Sequence, residues 1–256
     1  MNPSPAPLTA VVLTLNEAVH LPDCLRSLTT LGASVLVLDS LSSDGTQDIA
    51  RAAGARVVEQ AFVNYSCQRQ VALALVESPW LLFVDADERV SPALAAAVRA
   101  AIARPEAEAP AAYWIARRNL FWGHPLRGGG WWPDHQLRLL RVDRSRYDPQ
   151  QAVHELAEVA GSVGWIDEPL LHLNYDSWAE FWSKQQAYAR LEAGRRRAAE
   201  RWPRPQHFLL QPLREFRRRF FSLGGYRDGL LGLGLCLAMA WAELRTLWWS
   251  RRSALD

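Results

Sequence analysis

The chain is 256 residues long, 49% hydrophobic, with a formal charge of only +2. That length allows one large domain, or one domain with an extension, and a core that buries most of the surface an unfolded chain exposes. The composition excludes collagen-like repeats, low-complexity disorder and a disulfide-framed miniprotein.

Neutrality here averages two unlike parts. Residues 1–116 carry 7 Arg against 12 acids, a net of −5, whereas residues 117–256 carry 22 basic residues against 15 acids, a net of +7. Trp80 is the only tryptophan before Trp114, and the other eleven lie from there on. Cys24, Cys67 and Cys236 are far apart and in no paired spacing. That argues against a disulfide framework or a zinc site and fits a reducing compartment. Met1 to Pro7 has no basic start and no apolar stretch, so no signal peptide is expected. The longest uncharged apolar run, Gly229 to Ala242, has fourteen residues, short of the ~18–20 that span a bilayer. The expected location is the cytoplasm, with attachment to the cytoplasmic face of the inner membrane as an option.

In chain order, Ala10 to Leu15 reads as a buried strand, and Asn16 to Leu31 has helical spacing with Pro22 near its start. Val35 to Leu38 is a second strand closed by Asp39, and Asp44-Gly45-Thr46 is a turn able to cap a helix running to about Ala53. Arg56 to Val58 is a short strand, Tyr65 to Glu77 a helix, and Trp80 to Val84 a fourth strand that stops at Asp85-Ala-Asp-Glu88. Ser91 and Pro92 then supply the N-cap and first position of an Ala-rich helix. This alternation predicts an α/β fold, a mainly parallel sheet with helices on both faces. Beyond Ala111, Tyr113 to Ala116 and Gln136 to Leu140 read as strands, separated by a Gly- and Trp-rich loop from Arg127 to Pro133. From Trp178 the pattern is helical, and residues 189–227 hold 11 Arg and 3 acids.

In parallel sheets ligands sit beyond the C-terminal strand ends. Three strands here end in polar residues: Asn16 and Glu17, Asp39, then Asp85 and Asp87. Asp85 and Asp87 suit a hard divalent cation, which prefers carboxylate oxygens and bridges phosphates; a solvated acidic turn is the alternative. Asp39 suits a nucleotide's base or ribose, or a turn; Asp44 reads as structural. No glycine lies between Thr14 and His20 and no Walker loop is present, which disfavours a dinucleotide-binding dehydrogenase, a P-loop enzyme and a nucleotidyltransferase.

Thr14-Leu-Asn-Glu17, Asp39 with Ser42-Ser-Asp-Gly-Thr46, Gln68-Arg69 and Trp80-Leu-Leu-Phe-Val-Asp-Ala-Asp-Glu88 together resemble the inverting glycosyltransferases of family 2, with a GT-A fold. Gly128-Gly-Gly-Trp-Trp-Pro133, Gln136-Leu-Arg-Leu-Leu-Arg141 and Val153-His-Glu155 narrow the resemblance to the bacterial subgroup that includes lipopolysaccharide core-biosynthesis enzymes. It covers residues 8–175, implying a catalytic domain over 1–175 and a helical extension over 176–256. By this resemblance the donor is a nucleotide-diphospho-sugar, a UDP-sugar by preference, the cofactor is Mg2+ or Mn2+, and the acceptor is a cell-envelope glycan or a lipid-linked molecule. Thr14, Glu17, Asp39 and Arg69 would surround base and ribose. Asp85 and Asp87 would serve ribose and metal, with Asp87 the preferred direct ligand. An inverting displacement needs a base at the acceptor hydroxyl and positive charge at the leaving diphosphate. Glu155 is the candidate base, and His154 a candidate ligand of the metal or contact of the diphosphate. Arg138 and Arg141 either reach the diphosphate or make surface pairs. Trp131 and Trp132 form either a mobile sugar-stacking loop or a small core. A catalytically silent nucleotide-sugar-binding or membrane-scaffold protein of the same fold is the rival from another class, and a nucleotidyltransferase, which would release pyrophosphate from a nucleoside triphosphate, is the rival enzyme.

The basic tail has three readings. Arg195 to Arg197 and Arg217 to Arg219 carry no accompanying nucleic-acid motif, so no nucleic-acid partner is expected. Packing on the catalytic domain is the second reading. The third combines these arginines with Phe216, Phe220, Phe221, Trp241, Trp248 and Trp249 as an amphipathic element on an anionic leaflet.

Overall fold

The computed structural model describes residues 7–105, 108–150, 156–175 and 177–252. The chain forms two compact units, Met1–Arg117 with His135–His172, and Arg118–Asp134 with Leu173–Asp256. Residues 118–134, which include the Gly- and Trp-rich segment, thus group with the C-terminal helices.

The first part of the chain alternates β1 (Leu8–Thr14), α1 (Leu21–Leu28), β2 (Ser34–Asp39), α2 (Thr46–Ala52), β3 (Arg56–Glu59), α3 (Tyr65–Leu75), β4 (Trp80–Asp85), β5 (Glu88–Arg89) and α4 (Pro92–Ile102). There follow β6 (Ala112–Phe121), β7 (His124–Pro125), β8 (Asp134–Arg141), β9 (Ser145–Arg146), β10 (Glu158–Val159) and β11 (Val163–Tyr175). The sheet order is β3-β2-β1-β4-β8-β6-β11-β5, with β7 on β6, while β9 and β10 pair separately. Strands β3, β2, β1 and β4 are parallel, and the direction reverses at β8. Register sets Thr14 opposite Asp39 and Leu13 opposite Asp85, so three strand ends come level at one edge.

Side chains alternate across a strand, and the core divides accordingly. Ala10, Val12, Leu82 and Val84 pack with Leu21, Leu25 of α1 and Leu94, Val98 of α4. Val11, Leu36, Leu38, Leu81 and Phe83 pack with Ala72 and Leu73 of α3 on the other face. Both faces are covered, which is why these strands read as continuous apolar runs. The Ser91 hydroxyl accepts the Leu94 N–H at 3.1 Å, capping α4 as its sequence predicts. Helix α1 starts later than its spacing suggests. Asn16 sits at φ 57°, in the left-handed region, and its side-chain oxygen accepts the Ser43 N–H at 2.9 Å, holding the strand-to-helix turn open. No alternation marks β11, where Asp167, Glu168 and Pro169 interrupt the pattern.

The second unit holds α5 (Trp178–Ala198), α6 (His207–Arg217) and α7 (Gly229–Arg252). Its core gathers Phe121, Leu126, Tyr175, Phe181, Leu235 and Ala238. The glycine segment is tied down. Arg127 and Gly128 donate their N–H groups to the Asp228 carboxylate at 2.8 and 3.1 Å, Gly129 N–H donates to the Leu223 carbonyl at 2.8 Å, and Arg219 donates to the Gly129 carbonyl at 2.7 Å. Trp131 packs against Phe121, 5.8 Å between centroids, under the Arg219 guanidinium. Of the two readings of this segment, the packed core is therefore the one observed for Trp131. Helix α7 also runs well beyond the fourteen-residue apolar stretch. Gly225–Arg251 is long and apolar enough by length and composition to cross a membrane. Yet Leu235, Ala238 and Leu247 are buried inside the protein, and Glu243 pairs with Arg196 at 3.0 Å, features of a packed helix.

Candidate functional site

The ends of β1 and β2 meet at Asp39. Its Oδ1 accepts the Ser42 N–H and Gln47 Nε2, each at 2.8 Å. Its Oδ2 accepts the Thr14 hydroxyl at 2.7 Å and the Ser42 hydroxyl at 2.6 Å. A carboxylate offers about four acceptor positions, so Asp39 is fully engaged. Burial pushes its pKa up, but the bonds from Ser42, Thr14 and Gln47 outweigh that, and the group is held below its ordinary value. The two loops beyond the strands are laced together as well. Asn16 N–H donates to Ser42 Oγ at 2.8 Å, Glu17 N–H to Thr46 Oγ1 at 2.8 Å and Ala18 N–H to Asp44 at 3.0 Å. Asp44 also accepts the Thr46 N–H at 3.0 Å, the turn role its sequence context predicts.

A second cluster lies at the end of β4. Glu88, wholly buried, accepts the Asp85 N–H at 2.9 Å with one oxygen and Arg138 at 2.8 Å with the other. Arg138, its side chain only 3% exposed, also grips Asp85 through both carboxylate oxygens. Arg117 adds positive charge 3.9 Å from each acid. Burial pushes Asp85 up, but the Arg138 guanidinium overrides it and holds the carboxyl well below the usual range. Burial likewise pushes Glu88 up; there Arg138 offsets only part, and neighbouring Asp85 adds to the rise. The two adjacent acids thus shift in opposite directions although both feel the same arginines, because burial and its acidic neighbour outweigh the cations at Glu88 but not at Asp85. Arg138, a candidate for the diphosphate, instead directs its fork at two carboxylates. Arg141 pairs with Asp143 at 3.0 Å, a local contact. Nothing in an isolated Arg-Leu-Leu-Arg pattern separates these two roles. The distinction comes from the antiparallel register of β8 on β4, which sets Arg141 opposite Trp80 at the start of β4 and carries Arg138 toward its acidic end. Beneath the turn, the Cys24 thiol is 3.5 Å from the Asp85 carbonyl, and burial pushes its pKa up to about 12, so it stays protonated.

Asp87 points elsewhere, and its Oδ2 lies 3.2 Å from Nε2 of His172 on β11. His172 enters because β11 pairs with β5, which sets it opposite Glu88. Sequence alone gave it no motif. An imidazole and a carboxylate could both serve as donors to a divalent ion such as Mn2+. No group of three or more such donors occurs among the described residues. Arg69 lies over Phe83 and Tyr147, with its charge also lowering Asp85. His154 and Glu155 lie outside the described residues. A cavity of about 720 Å³ is lined by Thr9, Ser34 and Arg56. These begin β1, β2 and β3, so it lies at the sheet edge opposite the carboxylates, where parallel sheets rarely bind ligands.

The family model for glycosyl transferase family 2 matches residues 9–160. Over 237 residues the chain is 32% identical to the lipopolysaccharide core biosynthesis glycosyltransferase LpsC of Rhizobium meliloti, spanning 88% of this chain and 85% of that one. A stretch of 84 residues, 33% of this chain and 29% of the relative, is 34% identical to an uncharacterized glycosyltransferase of Rickettsia bellii. Among solved structures, S. aureus TarS 1-349 matches with a TM-score of 0.51 over 96% of this chain and 91% of that chain, at 16% identity, a likeness of fold alone.

The two arginines of β8 should differ sharply on substitution. Arg138→Gln removes the only arginine hydrogen-bonded to buried Glu88 among the described residues, leaving Arg117 at 3.9 Å, and is expected to cost about 3–5 kcal/mol in urea unfolding. Arg141→Gln breaks a pair whose acid is largely exposed and a contact over the Trp80 ring, leaves no buried carboxylate unpaired, and should cost only about 1–2 kcal/mol. Equal losses would contradict the buried clamp. Asp39 gives a pH test. Its folded value is depressed, so the stability it contributes is present above the ordinary carboxyl value, about 4, and is lost as pH falls through the folded value. The stability gap between wild type and Asp39→Asn should therefore narrow on going from neutral pH toward pH 2. Parallel curves would contradict a hydrogen-bonded, ionised Asp39.

Proposed function

Because the chain belongs to glycosyl transferase family 2 and has the GT-A fold, it is a glycosyltransferase, and we propose that it transfers a sugar with inversion from a UDP-sugar to a cell-envelope glycan or lipid-linked acceptor, with Mg2+ or Mn2+ as cofactor. The observation that carries this reading is the approach of Asp87 to His172, 3.2 Å apart just beyond the end of a central parallel strand. Relatedness over most of its length to a protein named for lipopolysaccharide core biosynthesis supports the envelope acceptor.

In this reading Thr14, Glu17, Asp39 and Arg69 surround base and ribose. Asp39 has no acceptor position to spare, so the nucleotide exchanges for one of its four present donors. Gln47 is the one that leaves most simply, since it alone comes from a helix rather than from the strand ends and their turn. Asp87 and His172 hold the divalent ion, and Asp85, fixed by Arg138, keeps the turn that presents Asp87. A bound ion neutralises charge on the departing diphosphate. Glu155 takes the proton of the acceptor hydroxyl as its oxygen attacks the anomeric carbon from the face opposite the nucleotide, and His154 lies beside it in sequence.

The enzyme works at the cytoplasmic face of the membrane. Along α6 and the turn after it, Leu209, Leu213 and Phe221 are exposed at 72, 59 and 61% beside Arg214, Arg217 and Arg218. Apolar side chains among cations suit an anionic leaflet.

With Mn2+, wild type should hydrolyse or transfer from a UDP-sugar in a panel of nucleotide sugars, and the product should have the opposite anomeric configuration by NMR. Asp87→Asn and His172→Gln should each lower turnover by about 10–100-fold and remove the Mn2+-dependent gain in UDP affinity seen by calorimetry. Binding of UDP with no turnover of any donor, or turnover unaffected by EDTA, would overturn the reading. For the membrane face, Leu213→Glu with Phe221→Glu should reduce sedimentation with anionic vesicles while turnover of a soluble donor persists. Undiminished sedimentation would refute that surface.

A further inference from the structure

A groove of about 600 Å³ runs between α5 and α7, wholly within the second unit. Trp178 and Trp182 line it from α5, and Gly234, Leu237, Trp241 and Arg245 from α7. Trp178, Leu237 and Trp241 are 41, 52 and 51% exposed, an apolar trough open to solvent. Spacing explains the trough. Trp178, Trp182 and Gln186 recur every four residues on one face of α5, and Gly234, Ala238, Trp241 and Arg245 recur at intervals of three or four on one face of α7. Gly234 contributes no side chain, which leaves the Trp178 end open. A Cβ built there would meet only the Trp178 indole, at 3.8 Å.

The other end is cationic. Arg245 and Arg190 both lie against Trp249, their guanidinium carbons 4.5 and 5.1 Å from its ring. Among the described residues neither has a carboxylate within ion-pair distance, whereas their neighbour Arg196 is paired with Glu192 and Glu243. Arg245 Nε is buried with no hydrogen-bond partner. A buried donor left unpaired costs on the order of 1–3 kcal/mol, and two like charges on one indole repel. An anion at this end would offset that repulsion through the outer guanidinium nitrogens. From Gly234 to Arg245 the trough extends about 16 Å at 1.5 Å per helical residue.

We propose that this groove binds a single anionic amphiphile, its acyl chain along Trp178, Trp182, Leu237 and Trp241 and its phosphate monoester on Arg245 and Arg190. The assignment is separate from the strand-end site and does not depend on which donor that site takes. It also differs from a leaflet contact, because it calls for one lipid molecule in a stoichiometric site.

The test uses the full chain and three probes below micellar concentration: decyl phosphate, decyl maltoside and inorganic phosphate. Tryptophan fluorescence and calorimetry should show saturable, one-to-one binding of decyl phosphate. Decyl maltoside, with chain but no charge, and inorganic phosphate, with charge but no chain, should each bind at least about tenfold more weakly. Arg245→Gln should weaken decyl phosphate about tenfold and leave decyl maltoside unchanged. Gly234→Leu, which fills the trough without meeting backbone, should weaken both alkyl probes. Gln186→Glu, an exposed substitution beside the cationic end, should weaken only decyl phosphate and gives an independent check should Arg245→Gln unfold. Equal affinity for decyl phosphate and decyl maltoside would overturn the proposal. So would inorganic phosphate binding as tightly as decyl phosphate, or decyl phosphate binding unaltered by Gly234→Leu.

Discussion

Burying Glu88 beside Asp85 sets the constraint on which the strand-end site depends. A wholly buried carboxylate next to a second acid on the same tight turn needs a cation that presents several donors in a fixed plane. Arg138 does this from β8, with one nitrogen shared between Asp85 and Glu88. A lysine, with a point charge and no fork, would serve one acid at a time. The clamp fixes the acidic turn against the neighbouring antiparallel strand. With Asp85 held inward, Asp87 is left to face β11, where His172 meets it. The pair that suits a divalent ion therefore follows from a contact that excludes solvent.

Asp39 shows the same logic with neutral donors. Parallel register brings Thr14 opposite Asp39, and the turn through Ser42 and Gln47 supplies the remaining bonds. The carboxylate stays ionised because hydrogen bonds stabilise the charged form. It also joins the two loops that follow these strands. The backbone of Asn16, Glu17 and Ala18 is hydrogen-bonded to side chains of the second loop, so the edge is ordered before any nucleotide arrives. Such preorganisation lowers what a ligand must supply in ordering cost.

The basic, Trp-rich part of the chain resolves into distinct uses of arginine. Arg196 pairs with Glu243 and Arg219 with Glu215, both of which hold helices together. Arg118 lies over Trp132, and Arg219 over Trp131, where the cation meets the ring face. Others, such as Arg214 and Arg217 on α6 and Arg190 and Arg245 against Trp249, form no ion pair among the described residues. Net charge alone separates none of these, because a guanidinium counts the same whether it stacks, pairs or waits for a ligand.

The sequence by itself determined the α/β alternation, the N-cap at Ser91, the structural role of Asp44 and the polar strand ends. All of these are local: they depend on residue spacing, on turn chemistry, or on apolar runs that only a two-sided parallel sheet buries. Its motif order also pointed to the family. It did not reveal β11, whose acids and proline erase the period-two signal, and hence gave no sign of His172. Nor could it tell Arg138 from Arg141, or a strapped Trp131 segment from a mobile one. Those were decided by register and by contacts between residues 50 to 100 positions apart, where burial converts an ordinary arginine into an obligatory counter-charge. The split of +2 into an acidic and a basic half was legible from the start; which charges are neutralised within the protein was settled only when the chain brought distant partners together.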